Sequence, residues 1–380
     1  METSELIAAL SDPRAYTFAV DAVEVRQTHI SAVFLAGDVV YKVKKPVNLG
    51  FLSFGTLEER KHFCEEEVRL NRRLAPAVYL GVVPVTRAAD GRLRFEGEGE
   101  AAEWAVKMRR LPEAASLLSR LERGELTPEL LDEFARQLAA FHAGAEGGAR
   151  VAESGRFEVV ARNARENFTQ SESQVGVTVT REVFDRLRSL TESSLERLRP
   201  LIESRAARGV PRDTHGDLHL DHVYSFPERE PPGDLVAIDC IEFAERFRHA
   251  DPVADAAFLA MDLAFRGRRD LADSFRRSYL LASGDAEGAQ LFPFYVAYRA
   301  SVRAKVEGVE LTEKEIPEEG RKSASSRARA HWLLALGELE EPNRKPFLLM
   351  VGGLPGSGKS TMARAVAERA GFALVRTDAR

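Results

Sequence analysis

The residues with the clearest chemical potential lie in two short runs. Thr214-His215-Gly216-Asp217-Leu218-His219-Leu220-Asp221-His222 is followed, after a proline-rich interval, by Val236-Ala237-Ile238-Asp239-Cys240-Ile241-Glu242. Phosphoryl transfer to a hydroxyl needs a carboxylate that orients and deprotonates the acceptor, and separate ligands for a metal that neutralises nucleotide phosphates. Asp217, with His215 beside it, suits the first task and Asp239 the second, while His222 is a further metal-ligand candidate five positions after Asp217. Magnesium prefers oxygen donors and imidazole favours softer divalent ions, so His222 opens the choice to Mn2+ or to a phosphate or acceptor contact. Glu242 reads equally as a supporting or a participating group.

A third run lies near the end of the sequence. Gly353-Leu354-Pro355-Gly356-Ser357-Gly358-Lys359-Ser360 fits G-x-x-x-x-G-K-[ST] in full, after the apolar stretch Phe347–Val351 and before a helix expected from Lys359. Backbone N–H groups of Gly353, Gly356, Ser357 and Gly358, with Thr361 in the first turn of that helix, would surround phosphate oxygens. Lys359 would meet the β- and γ-phosphates and Ser360 would ligate Mg2+.

These groups need elements to hold them. Ala32–Leu35 and Val39–Lys44 flank Gly37-Asp38 and predict a β-hairpin, and Leu57, Phe63, Val68 and Leu70 predict a helix over 56–74. Further strands are expected at 78–85 and 103–108, and a helix with an apolar face after Pro128, ending near His142. His142 reads as a packed, hydrogen-bonded histidine. The 145–210 stretch carries no chemical motif and reads as a helical insertion or lid, 213–239 as a loop and hairpin, and 251–336 as helices closing at Gly337.

Asp217, the group five positions later and Asp239 on the next hairpin follow protein-kinase order. With His-Gly-Asp and Ile-Asp as the local forms, residues 20–335 resemble the aminoglycoside phosphotransferase family of small-molecule kinases. The resemblance implies a two-lobed, protein-kinase-like α+β fold, with a small β-rich lobe (1–111) and a mostly helical lobe (112–337). It also implies a strand lysine on the ATP phosphates, held by a helix glutamate: Lys42 or Lys44, with Glu67. Lys42 shares a strand face with Val40 and is preferred, although Lys44 shares that face too. The turn Gln27–Ser31 replaces a glycine-rich phosphate cover, with Ser31 a nucleotide-contact candidate, and Met108–Leu111 would be the hinge that meets adenine. Asp251-Pro252 and Asp255 would brace the catalytic loop.

The terminal run resembles P-loop small-molecule or polynucleotide kinases, with Thr377-Asp378 as the start of their second-strand acidic motif. The polar 338–346 segment reads as a linker, and 347–380 is too short for a complete α/β P-loop sheet, so it reads as the truncated start of such a domain. The pairing resembles bacterial two-part phosphotransferase/ATP-binding proteins.

Composition bounds the rest. At 380 residues, 44% hydrophobic and 30% charged, the chain has ample core for two or three domains. Its net charge of -5 gives no electrostatic case for a nucleic-acid site. Two distant cysteines, an acidic start and no long apolar run point to the cytoplasm and away from membranes. The expected activity is ATP-dependent phosphorylation of a small-molecule hydroxyl. The alternative is a noncatalytic nucleotide sensor acting on the P-loop segment or on a partner.

Overall fold

In the computed structural model, residues 3–48, 53–88, 90–231, 233–311, 318–340, 349–370 and 374–375 are described. The first part is a six-stranded antiparallel sheet in the order β1-β2-β3-β6-β4-β5. Its strands are β1 (Val23–Gln27), β2 (Ser31–Ala36), β3 (Val39–Lys44), β4 (Tyr79–Arg87), β5 (Leu93–Phe95) and β6 (Ala101–Arg109). The hairpin read from the sequence is β2–β3, with Leu35 opposite Val40 and Ser31 opposite Lys44.

Period-two alternation gives this sheet two different faces. Tyr41 and Val43 of β3 point into one core with Leu6 and Leu10 of α1 (Thr3–Leu10), Tyr16, Phe34 and Phe95. Val40 points the other way, into a cluster with Cys64 and Val68 of α2 (Leu57–Asn71), Met108, Phe226 and Val236. Lys42 and Lys44 share that second face by register. Helix α2 starts where its capping box dictates: Thr56 accepts from the Glu59 N–H and Glu59 accepts from the Thr56 N–H.

The second part is mostly helical. Its helices are α3 (Leu117–Glu122), α4 (Pro128–Gly144), α5 (Ala149–Ser154), α6 (Phe157–Ser171), α7 (Arg181–Ala207), α8 (Glu245–Arg248), α9 (Pro252–Phe265), α10 (Arg269–Ser283), α11 (Phe292–Glu310) and α12 (Glu318–Leu339). Two small antiparallel pairs lie among them: β7 (Arg212–Asp213) with β10 (His249–Ala250), and β8 (Val223–Ser225) with β9 (Leu235–Ala237). Val253 to Leu263 of α9 are buried all round, as a helix at the centre of a bundle must be. Leu131, Phe134 and Leu138 of α4, Phe275 and Tyr279 of α10 and Trp332 of α12 belong to the same core.

Several expectations change. Phe157, Phe168, Phe184, Leu187 and Leu195 are core residues, so α5–α7 are an integral layer of the helical part rather than a lid. Helix α12 runs through Gly337 to Leu339. The strand expected at 347–351 is not seen where it is described, since 349–354 have no regular structure; Phe347 and Leu348 lie outside the described residues, as do 341–346 and Thr377–Arg380. The helix expected from Lys359 is present as α13 (Lys359–Ala370).

A buried charge cluster ties the helical layers together. Arg205 of α7 is 1% exposed; it donates to Asp251 at 2.6 and 3.0 Å, to Asp285 at 2.7 Å and to Glu287 at 2.9 Å. Removing one member of such a set leaves buried charge uncompensated. Arg205→Leu is expected to lower the unfolding free energy by about 3 kcal/mol or more, read from the urea midpoint at unchanged m.

Candidate active site

The face of β3 that carries Lys42 and Lys44 meets two other elements. Helix α2 brings Glu67, and the turn after β9 brings Asp239 and Glu242. Lys42 Nζ lies 2.9 Å from Glu67 Oε1 and 2.6 Å from Asp239 Oδ1, and Lys44 Nζ lies 2.7 Å from Glu67 Oε2 and also pairs with Glu242. The alternative left open by the sequence thus becomes a division of labour: both lysines hold Glu67, Lys42 alone reaches Asp239, and Lys44 alone reaches Glu242. Lys44 and Glu67 are fully buried, whereas the Asp239 side chain is 43% exposed and faces the cleft.

Burial alone would push a lysine toward neutrality, but the carboxylates of Asp239 and Glu67 overturn that for Lys42, which is held well above its ordinary range. Lys44 is likewise raised against its burial, by Glu242 and Glu67. Glu67 stays ionised despite burial because two ammonium groups face it, whereas burial raises Glu242.

Asp239 adopts φ 63°, a left-handed conformation that costs a non-glycine residue free energy. Neighbouring backbone contacts hold it there: its N–H donates to the Tyr79 hydroxyl at 3.1 Å, and the next N–H, of Cys240, donates to Asn71 Oδ1 at 2.9 Å. Asn71 lies one turn beyond Glu67, so one face of α2 sets both the lysines and the Asp239 turn.

Asp217 lies across the cleft in a loop fixed from below. Asp255 of α9 accepts from the His215 N–H at 2.7 Å and the Gly216 N–H at 2.8 Å, and Arg299 of α11 donates to the Gly216 carbonyl at 2.9 Å. His142 Nε2 lies 3.2 Å from the same Asp255 carboxylate, and its Nδ1 lies 2.9 Å from the Tyr279 hydroxyl. Gly216 is required: its φ is +86°, and a Cβ there would sit 3.1 Å from both the Phe247 carbonyl and Arg248 Cβ. His215 is buried, its Nε2 lies 2.9 Å from the Ile238 carbonyl, and burial brings its pKa down to about 4. A neutral His215 therefore couples the Asp217 loop to the Asp239 hairpin.

His222 lies between the two aspartates: its Nε2 is 3.7 Å from Asp239 Oδ2, and its Nδ1 is 2.9 Å from the Asp217 carbonyl and 3.8 Å from Asp217 Oδ2. His219 was overlooked as a functional residue in the sequence. Its Nε2 is 3.4 Å from Asp217 Oδ2, its Nδ1 contacts Asp221, and although burial opposes its charge, Asp217 and Asp221 raise its pKa to about 10. Burial opposes the charge on Asp217 as well, but His219 and His222 hold it ionised, well below the ordinary range. The alternation of His and Asp from 215 to 222 was the available signal, but only the fold shows which imidazole faces which carboxylate.

Two expected nucleotide contacts are placed differently. Ser31 is fully buried at the start of β2, opposite Lys44 and so on the same sheet face, with its N–H donating to Thr28 Oγ1 at 3.0 Å, and it is covered by its neighbours rather than open to a nucleotide. Met108 lies inside β6 opposite Val40 and Tyr79, with its side chain in the apolar cluster between the sheet and β8–β9; the chain leaves the sheet only after Arg109. The Gly353–Ser360 run is a separate, exposed turn. Gly356 and Gly358 have φ 80° and 82°, and Lys359 Nζ folds back to donate to the Leu354 carbonyl at 3.2 Å. Ser360 and Thr361 occupy the first turn of α13.

The donor set fits a divalent cation. Asp217, His219 and His222 bring ligand atoms within 4.8 Å of one another, and the accessible Asp239 carboxylate stands 3.7 Å from His222 Nε2. His219, an imidazolium between two carboxylates, is occupied differently.

Comparison with known proteins identifies the family of the chain. The profile of the phosphotransferase enzyme family matches residues 51–292, a span that contains Glu67, Asp217, His222 and Asp239. An uncharacterized protein of Mycobacterium tuberculosis is 36% identical over 356 residues, covering 94% of this chain and 67% of that longer protein. Among solved structures, a choline/ethanolamine kinase family protein from Mesorhizobium loti aligns at 15% identity and TM-score 0.48, over 89% of this chain and 99% of its own. A choline kinase from Streptococcus pneumoniae aligns at 14% and 0.46, over 87% and 97%.

The Asp255 carboxyl, buried but held down to about pKa 2 by His142 and its neighbours, yields the prediction for this site. Its folded value lies below the unfolded one, so its contribution is present above about pH 4 and lost as pH falls toward 2. Asp255→Asn is expected to cost about 2 kcal/mol at pH 7, with the gap from the native chain closing between pH 4 and 2 in urea titrations.

Proposed function

The chain belongs to the phosphotransferase enzyme family, and on that premise we propose that it transfers the γ-phosphoryl group of ATP to a hydroxyl of a small molecule. The observation that carries this reading is the meeting, in one cleft, of ionised Asp217 with Asp239, His222 and a lysine held on a buried glutamate. Lys42 is the phosphate-binding lysine of this reading. Its hydrogen bond to Asp239 would be exchanged for nucleotide oxygens, while Glu67 keeps the ammonium in place. Lys44, locked between Glu67 and Glu242, supports that geometry without facing the cleft.

Asp217 would accept a hydrogen bond from the acceptor hydroxyl and align its lone pair with the γ-phosphorus. A carboxylate with so low a pKa is a weak base toward a free alcohol. It takes the proton as the new P–O bond forms and the hydroxyl becomes acidic, while the bond from phosphorus to the ADP oxygen breaks. Asp239 and His222 would hold a divalent metal, Mg2+ or Mn2+, which supplies charge neutralisation for the phosphates. We also propose the Gly353–Ser360 turn as a second phosphate-binding element, from its full motif and the positive φ of Gly356 and Gly358.

Asp217→Asn is expected to lower ATP turnover with a productive acceptor about 10²- to 10⁴-fold while leaving nucleotide affinity in place. A variant of unchanged function would favour a nucleotide-binding sensor instead. Calorimetry with ATP should show metal-dependent binding that Asp239→Ala abolishes. In the same titration, His222→Asn should shift the preference from Mn2+ toward Mg2+; an unchanged preference would remove His222 from the metal set.

A further inference from the structure

Arg73 stands just past the C-terminal end of α2, and its side chain is 21% exposed. Its Nε donates to the Leu70 carbonyl in the last turn of the helix at 2.9 Å. Its Nη1 donates to the Asp213 carbonyl at 2.7 Å, and its Nη2 donates to the Thr214 carbonyl at 3.0 Å and lies 3.3 Å from Cys240 Sγ. The guanidinium carbon sits over the Phe141 ring of α4, 5.1 Å from its centre. One side chain thus touches α2, the strand that leads into the Asp217 loop, the residue after Asp239 and a helix of the second part. These contacts go to backbone oxygens rather than to a counter-charge. Among the described residues the carboxylate within 4 Å of Arg73 is that of Asp213, at 3.5 Å, and it is already held by Arg248 Nε at 2.6 Å.

The two loops of the cleft are stitched to each other without the help of α2. The Ile241 N–H donates to the His215 carbonyl at 3.1 Å, and Arg248 joins the Asp213 carboxylate to the Ile241 carbonyl, which lies 3.3 Å from its Nη1. Helix α2 reaches the pair through two adjoining side chains. Asn71 Oδ1 takes the Cys240 N–H of the Asp239 turn, and Arg73 takes the carbonyls three and four residues before Asp217. Glu67, which holds Lys42, lies on the same helix. A guanidinium presents five donors in a rigid plane, so it can bind carbonyls of two elements at once in a set geometry; an ammonium on a flexible stem cannot. A displacement of about 1 Å between a base and the phosphorus it serves is enough to cost about 100-fold in rate.

Resting on the phosphotransferase reading of this cleft, we propose that Arg73 is a positioning residue that ties the Asp217 loop to the helix holding Glu67, and so sets the base at a fixed distance from the phosphate-binding lysine. Asn71 does the same for the Asp239 turn. Helix α2 then acts as a strut with one side chain for each loop, and nucleotide bound at Lys42 and Asp239 steadies the base through Arg73.

The test is amide hydrogen exchange of the full chain, read by mass spectrometry. Without nucleotide, Arg73→Met should speed exchange over residues 213–217 about tenfold or more, well beyond any change in α4. Arg73→Lys keeps the charge and loses the fork; it should loosen the same segment, and it carries the test if the methionine variant does not fold. Arg60→Met is the control, because it breaks a buried pair of the same helix, 2.7 Å from Glu103 of β6, without touching either loop. It should leave residues 213–217 close to native. ATP with Mn2+ should slow exchange of 213–217 in the native chain. In the Arg73 variants ATP affinity by calorimetry should stay within about threefold of native while that slowing is lost, a separation that mere loss of stability does not produce. Unchanged exchange of 213–217 in the Arg73 variants, equal loosening by Arg60→Met, or slowing by ATP that is absent from the native chain or equal in native and variants would each overturn the proposal. Calorimetry on the native chain separates the two readings. Intact ATP binding with a loop indifferent to Arg73 defeats this inference alone, whereas a native chain that binds no ATP defeats phosphoryl transfer and the positioning role with it.

Discussion

Everything at the cleft depends on one buried carboxylate. Glu67 is ion-paired with two lysines of the same strand, and through them it is joined to Asp239 and Glu242 on the far side of the cleft. An isolated carboxylate could not stay charged at such burial, and neither could Lys44; each is ionised because the other is. The cluster therefore exists only when the sheet, α2 and the β8–β9 hairpin are correctly docked, which makes the geometry of the cleft a product of folding. Buried ion pairs of this kind contribute little net stability relative to apolar packing. Their effect here is geometric: they fix where Lys42 and Asp239 stand.

A second constraint works from below. Asp255 grips the successive N–H groups of His215 and Gly216, and Arg299 of α11 donates to the Gly216 carbonyl that follows them, so the nearly all-apolar α9 aims its buried carboxylate at one turn. The helices thereby place Asp217 with the precision of a packed core. The stretch around residues 145–210 contributes to the same rigidity, because Phe168 and Phe184 pack against Trp332 in that core.

Much of this arrangement was legible in the sequence. The β2–β3 hairpin, α2, α4 and the helical run from 251 announce themselves by apolar spacing and turn residues, and the order of Asp217, His222 and Asp239 announces the centre. What remained illegible were pairings across long sequence separations. Val40 places Lys42 and Lys44 on the same face, but nothing local says that residue 44 meets residue 242 while residue 42 meets residue 239. Ser31 illustrates the same limit, since a serine in a turn-like string reads as exposed until its strand partner is known. His219, Asn71 and Tyr79 act through contacts that one-dimensional spacing does not encode. The apolar run at 347–351 resembles a buried strand, yet residues 349–351 have no strand to pair with among the described residues.

The left-handed backbone at Asp239 also bears on how such a centre could age. At φ 63° the residues that fit with least strain are glycine, asparagine and aspartate. Asparagine is one base change from aspartate and nearly its shape, so the backbone and its contacts with Tyr79 and Asn71 would survive the exchange. The carboxylate's charge would not. The same turn that holds this carboxylate in place thus leaves a lineage one short step from a charged cleft to a neutral one on an unchanged backbone.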